Sequence, residues 1–322
     1  MTNTIQERRS TRRPTRLLVA ALAACALLGA SCSNGDETTD DASGGEGELT
    51  GSITIGAIPD QDPEVLQRQF DDVSAYLEEQ LPGIDVEYVP VTDYDGALAG
   101  FTTGDLDLVW FGGLTGVQAQ EAVDGSVPIA QRDIDEKFTS VFIAAPDSDL
   151  GEIDDVDGLS EIAGHSLTFG SESSTSGRLM PQYFLDQAGV DVEEDLKGQP
   201  GFSGSHDATI ELVTAGTYEV GALNSQVWDS AAEDGTLDDS KVVEIFRTPE
   251  YYDYHWVAQP DLDAEHGDGF TEALTQAFLG IDGSTPEQER ILEAFGAEGF
   301  IPTEASNYEA IREVGEKIGV LR

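Results

Sequence analysis

A run of hydroxyl side chains between two glycines is the most chemically suggestive stretch of the sequence. Residues 170–177 read Gly-Ser-Glu-Ser-Ser-Thr-Ser-Gly, between a predicted strand and a predicted helix. Hydroxyls and free backbone N–H groups at a helix start, where the helix dipole is positive, can bind an anion. The lysine of a phosphate-binding P-loop is absent, and Arg178 stands one residue too late for it. The open alternative is a serine-rich loop with an ordinary helix cap.

Further polar and aromatic segments stand where predicted strands end. Because the carboxyl ends of strands in open α/β sheets meet at one edge, these segments predict a single ligand cleft. A capping role for the histidine and a core role for the aromatic cluster at 251–256 are the open alternatives. The candidate residues in these segments are Tyr94, Phe111, His206, Asn224, Gln226 and Asp253.

The elements that must position these residues alternate between strand and helix. Strand patterns at 52–58, 85–91, 106–111 and 127–131 are separated by helical patterns, and the alternation resumes after residue 139. This βαβ pattern predicts an α/β fold in which mainly parallel sheets are flanked by helices. About 270 residues is more than one core usually supports, so two lobes are expected.

We place lobe 1 at residues 51–144 together with 249–322, and lobe 2 at residues 145–248. The chain would cross between the lobes near residues 139–145 and again near residues 247–259. Two neighbouring crossing segments of this kind predict a hinge.

The composition is strongly acidic. Lys and Arg number 16 and Asp and Glu 63, so the net charge is −47. Such a chain is repelled by nucleic acid and by anionic lipid, so neither is expected as a partner. Hydrophobic residues make up 39%, which excludes a chain that is disordered throughout.

The N-terminal region predicts export. Residues 1–31 read as a signal peptide, in which an apolar run at 17–30 is shorter than the roughly 20 residues that span a bilayer. Small residues precede Cys32, so we expect lipid attachment there, followed by a flexible acidic tether over 32–50. Cys25 is the alternative attachment site, and a secreted protein with an incidental cysteine is another reading. With both cysteines here, the folded part has no disulfide and no thiolate metal site.

An ordered set of motifs resembles the phosphonate/phosphite-type solute-binding proteins of ABC importers, which have the type II periplasmic-binding-protein fold. The resemblance covers about residues 52–320 and implies that the turn Ser174, Thr175 and Ser176 binds phosphoryl oxygens. It also implies ligand contacts from the other strand-end residues named above. The motifs are Val-Thr-Asp-Tyr at 91–94, Asp-Leu-Val-Trp-Phe-Gly at 107–112, Phe-Gly-Ser-x-Ser-Ser-Thr-Ser-Gly at 169–177, Ser-Gly-Ser-His-Asp-Ala-Thr at 203–209, Gly-Ala-Leu-Asn-Ser at 221–225 and Tyr-Tyr-Asp at 251–253.

Two positions depart from the aminophosphonate-binding members of that family. Some members have tyrosine where Phe111 stands and glutamate where Gln226 stands, and the neutral amide speaks against a ligand with an amine. The Ser-Ser-Thr-Ser-Gly and Tyr-Tyr-Asp-Tyr versions resemble a branch named for selenate. A carboxylate from Asp253 in the cleft would favour a protonated phosphorus oxyanion over a fully ionised selenate or sulfate.

We therefore expect an exported, membrane-tethered binding protein rather than an enzyme, with no cofactor and no metal. Its expected partners are a small oxyanion, an ABC permease with its ATPase, and the membrane through the N-terminal lipid alone; we expect a monomer at the outer face of the cytoplasmic membrane or in the periplasm. An exported phosphatase or esterase is the competing class. It would need metal ligands or a base in contact with a nucleophile, and no metal-ligand spacing accompanies the four histidines. A lipid-anchored sensor using the same cleft is a third reading.

Overall fold

The computed structural model describes residues 49–321. In chain order, the strands are β1 (Gly51–Ala57), β2 (Ile84–Tyr88), β3 (Leu108–Phe111), β4 (Val127–Arg132), β5 (Ser140–Ala144), β6 (Leu167–Phe169), β7 (Gly201–Phe202), β8 (Val220–Asn224), β9 (Val243–Arg247), β10 (His255–Ala258) and β11 (Phe300–Ile301).

Ten α-helices lie between or after these strands in the described part of the chain. They are α1 (Pro63–Gln80), α2 (Tyr94–Thr103), α3 (Gly113–Ala122), α4 (Met180–Gln187), α5 (His206–Thr214), α6 (Ser225–Glu233), α7 (Leu262–His266), α8 (Phe270–Leu279), α9 (Pro286–Phe295) and α10 (Glu309–Ile318). Short helical turns cover Asp133–Lys137, Val156–Ile162, Thr175–Leu179 and Ala305–Tyr308.

The strands form two separate sheets, which confirms the α/β, two-lobed architecture. The first sheet has the order β11-β4-β10-β3-β1-β2 and the second the order β7-β6-β8-β5-β9. We call the parts built on them the first and second lobes. Most strands of each sheet share one direction, as predicted, but β5 and β10 run antiparallel to both of their neighbours, so both sheets are mixed. These strands enter directly from the other lobe, without the helical crossover that a parallel neighbour requires.

The first crossing between the lobes lies earlier than the sequence indicates. We placed residues 139–144 in lobe 1, but β5 pairs with β8 and β9 at the centre of the second sheet. The second lobe's sheet is therefore built from the continuous stretch 140–247. An isolated bridge between Phe138 and Tyr251 joins the two crossing segments side by side.

Local sequence signals explain the helix that follows β1. Asp62 caps α1 by accepting the backbone N–H of Glu64 at 2.8 Å, and Pro63 occupies the first helical position. Its apolar face, which includes Phe70 and Leu77, is buried against the first sheet. Packing this helix on one face of the sheet leaves the segment after β1 at the carboxyl edge, where the candidate residues also lie.

A buried ion pair lies against the second crossing segment. The Arg132 guanidinium forms two hydrogen bonds of 2.8 Å with the Asp135 carboxylate, and its Cζ lies 4.8 Å from the centre of the Tyr254 ring. Asp135 in turn accepts the Tyr254 backbone N–H and, through its carbonyl, that of Asp253. These two hydrogen bonds hold residues 253 and 254 of the second crossing against the first lobe.

Within residues 49–321, no helix combines the length and the apolar character needed to cross a membrane. The predicted signal peptide, Cys25, Cys32 and most of the tether lie outside the described residues.

Candidate functional site

The hydroxyl turn at 174–176 opens the helical segment that continues into α4. Ser174 caps this segment, because its Oγ accepts the backbone N–H of Gly177 at 2.9 Å. A Cβ on Gly177 would lie 2.9 Å from Ser174 Oγ and 3.1 Å from His206 Cε1, so the close packing requires glycine. All three hydroxyl residues are at most 2% exposed. The turn therefore faces the protein interior, beside the first turn of α5.

The two lobes meet at the N-terminus of α3. The backbone N–H of Leu114 donates to Thr175 Oγ1 of the second lobe at 2.9 Å. The neighbouring N–H of Gly113 donates to Asp253 Oδ1, also at 2.9 Å. Side chains from two distant segments thus satisfy helix N–H groups that have no partner within the helix.

Three buried polar atoms around this turn have no hydrogen-bond partner among the described residues. They are the Tyr94 hydroxyl, Ser176 Oγ and Asp253 Oδ2. Tyr94 lies beside Ser174, and Ser176 beside Tyr251, while Thr175 Oγ1 and Asp253 Oδ1 both flank Gly112. Buried polar groups are normally paired because an unpaired one costs about 1–3 kcal/mol. Three such atoms from three segments indicate a position for a small polar ligand.

Asp253 can hold a proton near neutral pH. Burial raises the pKa of its carboxyl from 3.8 to about 7, against the lowering effect of the Gly113 N–H, and the nearby Asp135 carboxylate adds to the increase. Arg132 lowers this pKa, but both carboxylate oxygens of Asp135 already bind its guanidinium. The turn thus combines neutral hydroxyl and N–H donors with a carboxyl group that can share a proton.

His206 is brought to the site, but the protein itself binds both of its ring nitrogens. The backbone N–H of Asn224 donates to Nδ1 at 3.3 Å, so Nδ1 must be the acceptor. Burial lowers the pKa of His206 to about 3, so the ring is neutral and its proton sits on Nε2. Nε2 then donates to the Tyr254 hydroxyl at 3.2 Å.

The side-chain polar atoms of Asn224 are also hydrogen-bonded within the protein. Its Oδ1 accepts the Val227 N–H and caps α6, and its Nδ2 donates to the Tyr254 hydroxyl at 3.1 Å. His206 and Asn224 therefore form the wall behind the turn, with their polar atoms already paired.

Two of the predicted residues lie away from the turn. The Phe111 ring packs edge-on against Phe101 in the hydrophobic core, because β3 alternates and turns Trp110 toward Tyr254 instead. Gln226 is half-buried and donates to Ser230 on its own helix α6. It lines one cavity beside the C-terminal end of α9 and a smaller one that Asp60 and Tyr254 also line.

Asp60 and Tyr254 also lie at this candidate site, although no motif in the sequence points to them. Asp60 is 3% exposed, accepts the Tyr254 hydroxyl at 2.8 Å, and gives its carbonyl to the backbone N–H of His206. Burial raises the pKa of its carboxyl to about 6. Asp60 follows β1 at the carboxyl edge, so the strand-end argument applied to Tyr94 could have found it.

The rim of the cleft is closed by contacts between the lobes. Ser173 Oγ of the second lobe donates to the Asp95 carboxylate of the first at 3.0 Å. On another side, the Asp62 N–H donates to Asp207 Oδ2 at 2.8 Å. Among the described residues, no group of three His, Cys, Asp or Glu side chains is arranged to hold a metal ion.

Comparison with known proteins agrees with this geometry over most of the chain. The model of the family described as ABC transporter, phosphonate, periplasmic substrate-binding protein matches residues 55–308. The probable ABC transporter phosphite binding protein PhnD1 of Prochlorococcus marinus is 47% identical over 270 residues, which cover 84% of this chain and 91% of that protein. The phosphate-import protein PhnD of Mycolicibacterium smegmatis is 28% identical over 324 residues, covering 94% and 96%.

A solved structure shares the fold closely. The structure of Prochlorococcus marinus PhnD1 in complex with methylphosphonate has a TM-score of 0.81 and 47% identity, and it covers 83% of this chain and 98% of that one. Proteins of this kind bind substrates for ABC transporters and are not enzymes, which sets aside the hydrolase reading. This chain belongs to the family of periplasmic substrate-binding proteins of phosphonate ABC transporters.

Proposed function

We propose that this chain captures a small phosphorus oxyanion, of the phosphite, phosphate or methylphosphonate class, between its lobes and delivers it to an ABC permease and its ATPase. The observation that carries the proposal is the group of three unpaired buried atoms on Tyr94, Ser176 and Asp253. An oxyanion offers acceptors to the two hydroxyls. A protonated oxyanion also offers a donor to the carboxylate.

The charge on Asp253 favours phosphorus over sulfur or selenium. Sulfate and selenate are fully ionised at neutral pH, and a buried dianion facing an ionised carboxylate is strongly repelled. Phosphite and methylphosphonate keep an ionisable proton near neutral pH, and they can place it between an oxygen atom of the ligand and Asp253 Oδ2. Such charge-assisted hydrogen bonds are among the stronger ones.

The ligand contacts follow from which side-chain atoms remain unpaired. Tyr94 and Ser176 donate hydroxyl protons, Ser174 and Thr175 hold the turn in place, and Asp253 shares the proton. His206 and Asn224 support the site, while Phe111 and Gln226 shape its surroundings. The names of relatives, which mention phosphite, phosphate and methylphosphonate, support the same ligand class.

The remaining features of the proposal concern the whole molecule. The first lobe comprises approximately residues 51–144 and 249–322 and the second residues 145–248, with β5 paired into the second sheet. The two lobes close on the ligand about the two crossings. The closed form docks on the permease as a monomer. Lipid on Cys32, rather than Cys25, tethers the exported protein to the outer face of the cytoplasmic membrane.

Calorimetric titration of the exported chain tests the ligand class directly. We expect phosphite and methylphosphonate to bind at least about tenfold more tightly than selenate at pH 7, where part of each phosphorus ligand still carries its proton, because one charge-assisted hydrogen bond is worth about that much. Asp253→Asn keeps the shape and can still accept the Gly113 N–H. It should weaken phosphite about tenfold or more without weakening selenate.

Two results would contradict the proposal. If none of these anions binds the wild-type protein, the function itself is wrong. If Asp253→Asn leaves phosphite affinity unchanged, the carboxylate does not select the ligand, and selenate becomes an equal candidate.

A further inference from the structure

The Tyr254 hydroxyl is a hydrogen-bond junction between the two lobes. It donates to Asp60 Oδ2 at 2.8 Å and accepts the Asn224 amide at 3.1 Å. His206 Nε2 donates the third bond, of 3.2 Å. Nε2 carries the ring proton because Nδ1 accepts the Asn224 backbone N–H. A phenol oxygen can donate once and accept twice, so this hydroxyl uses its full capacity.

The ring that carries this hydroxyl is fixed in the first lobe. It stacks on Trp110 with ring centres 5.6 Å apart and packs edge-on against Phe138 at 5.5 Å. The Arg132 guanidinium covers it at 4.8 Å. These contacts all come from the first lobe and the crossing, so they hold the phenol in position independently of the second lobe.

The partners on the other side belong only to the second lobe. His206 begins α5 and Asn224 ends β8, immediately beside the hydroxyl turn. When the lobes separate, both donors leave Tyr254 together, whereas its bond to Asp60 remains within the first lobe. The two bonds to the second lobe are therefore made by closure.

We propose that Tyr254 is a positioning residue that holds the closed form and slows ligand release without touching the ligand. This inference rests on the proposed function only because ligand release is measured with an oxyanion. Tyr254 adds nothing to the first encounter, when the lobes are apart, so its effect falls on the dissociation rate and not on the association rate.

Tyr254→Phe removes the junction while keeping the ring. With methylphosphonate and stopped-flow tryptophan fluorescence, we expect dissociation about tenfold faster and association changed by less than about twofold. Tyr76→Phe is the control for removing a buried hydroxyl of the first lobe, because the Tyr76 hydroxyl donates to the Ala277 carbonyl at 2.8 Å within that lobe. That variant should leave both rates unchanged.

A second variant separates positioning from direct ligand contact. Asn224→Ser keeps a side chain that caps α6 but removes the amide donor to Tyr254. If the two residues act through one bond, the double variant releases ligand no faster than Tyr254→Phe alone. If the increases in dissociation rate of the two single variants multiply in the double variant, Asn224 binds the ligand itself and the shared mechanism is wrong.

Small-angle scattering without ligand gives an independent measurement. We expect Tyr254→Phe to have a larger radius of gyration than the wild-type and Tyr76→Phe proteins, because fewer bonds hold the lobes together. If wild type binds no oxyanion but Tyr254→Phe is more open, the proposed function fails and this inference stands. If the variant releases ligand at the wild-type rate and is equally compact, the inference is overturned.

Discussion

The two carboxylate oxygens of Asp253 have different surroundings, and the N–H of Gly113 is the reason. Oδ1 accepts this N–H at 2.9 Å, at the start of α3, while Oδ2 is buried without a partner among residues 49–321. One oxygen anchors the side chain, so the other is held at a fixed place and remains available. This arrangement places a proton-sharing group beside the hydroxyl turn.

The pH dependence of affinity should differ between anion types. The proposed complex holds one proton between the ligand and Asp253, whose pKa without ligand is about 7. Selenate brings no proton, so its affinity should be level below pH 7 and fall about tenfold per pH unit above it. Methylphosphonate should lose affinity on the alkaline side in the same way, but also on the acidic side, where ligand and Asp253 together carry one proton too many. Titrations from pH 5 to 8.5 measure both profiles, and a methylphosphonate profile as level as that of selenate at low pH would contradict the shared proton.

Stability without ligand should fall as pH rises. The folded-state pKa values of Asp60 and Asp253 are raised from 3.8 to about 6 and about 7. The folded protein therefore binds more protons than the unfolded chain between about pH 4 and pH 7. The stability from these groups is complete below pH 4 and is lost as pH rises through 6 and 7, by up to about 1.4 kcal/mol per unit for each group.

Denaturant unfolding of Asp253→Asn checks this sign. The variant mimics the protonated carboxyl, so its advantage over wild type should be larger at pH 7 than at pH 5. Asp268→Asn, at an exposed carboxylate, is the control. A constant difference between Asp253→Asn and wild type would contradict the raised pKa.

Removing the Ser176 hydroxyl should weaken binding without weakening the fold. Ser176 Oγ has no partner among the described residues, so Ser176→Ala should change the free energy of unfolding by no more than about 0.5 kcal/mol. Loss of a hydrogen bond to a charged ligand should lower affinity about tenfold to a hundredfold. Ser160→Ala, at an exposed hydroxyl that bonds the Asp157 carbonyl, is the control for calorimetry. Unchanged affinity in Ser176→Ala would place the ligand elsewhere.

A methyl group at Gly112 should obstruct the closed site. An added Cβ would lie 3.1 Å from Thr175 Oγ1 and 3.3 Å from Asp253 Oδ1, closer than these groups pack comfortably. Overpacking of this kind costs about 1–3 kcal/mol, so Gly112→Ala should lower affinity about tenfold. Gly151→Ala has no atom within 4 Å of its Cβ and should bind normally. Equal affinities for the two variants would show that the cleft can relax there.

Membrane attachment should depend on a single cysteine. We expect Cys32→Ser to move the exported protein from the membrane fraction to the released fraction, because the lipid-bearing thiol is lost. Cys25→Ser should leave it with the membrane. Fractionation followed by immunodetection distinguishes the two, and the reverse result would assign the lipid to Cys25.

Residue type and strand position together predict which candidate residues lie close to one another. Ser174–Ser176 combine hydroxyl chemistry with a strand-to-helix boundary, Tyr94 and Asp253 stand at sheet edges, and the fold brings these residues together. Gln226 could not be placed in this way, because the face that α6 presents is decided by packing against α9 of the other lobe. The alternation of β3 turns the Phe111 ring into the core, while Trp110 faces Tyr254.

The architecture was predictable apart from the strands that run against their neighbours. Periodicity predicts the helices and the sheet alternation, but β5 and β10 acquire their neighbours only when the lobes assemble. The position of Asp60 after β1 follows from the strand-end argument, but its burial does not. The burial depends on the His206 N–H reaching its carbonyl from about 146 residues away, and no local pattern contains that contact.

The pairing of β5 with β9 has a consequence for how such receptors diversify. Val141 stands opposite Arg247, so the stretch from 140 to 247 leaves and re-enters the first lobe at almost the same point. A stretch whose ends adjoin can be excised, grafted or exchanged as one cassette, because a short turn could reconnect the remaining chain. The cassette carries the hydroxyl turn and His206, and the host carries Tyr94 and Asp253. Exchange of the cassette between relatives would therefore recombine two half-sites and produce new anion preferences without rebuilding either core.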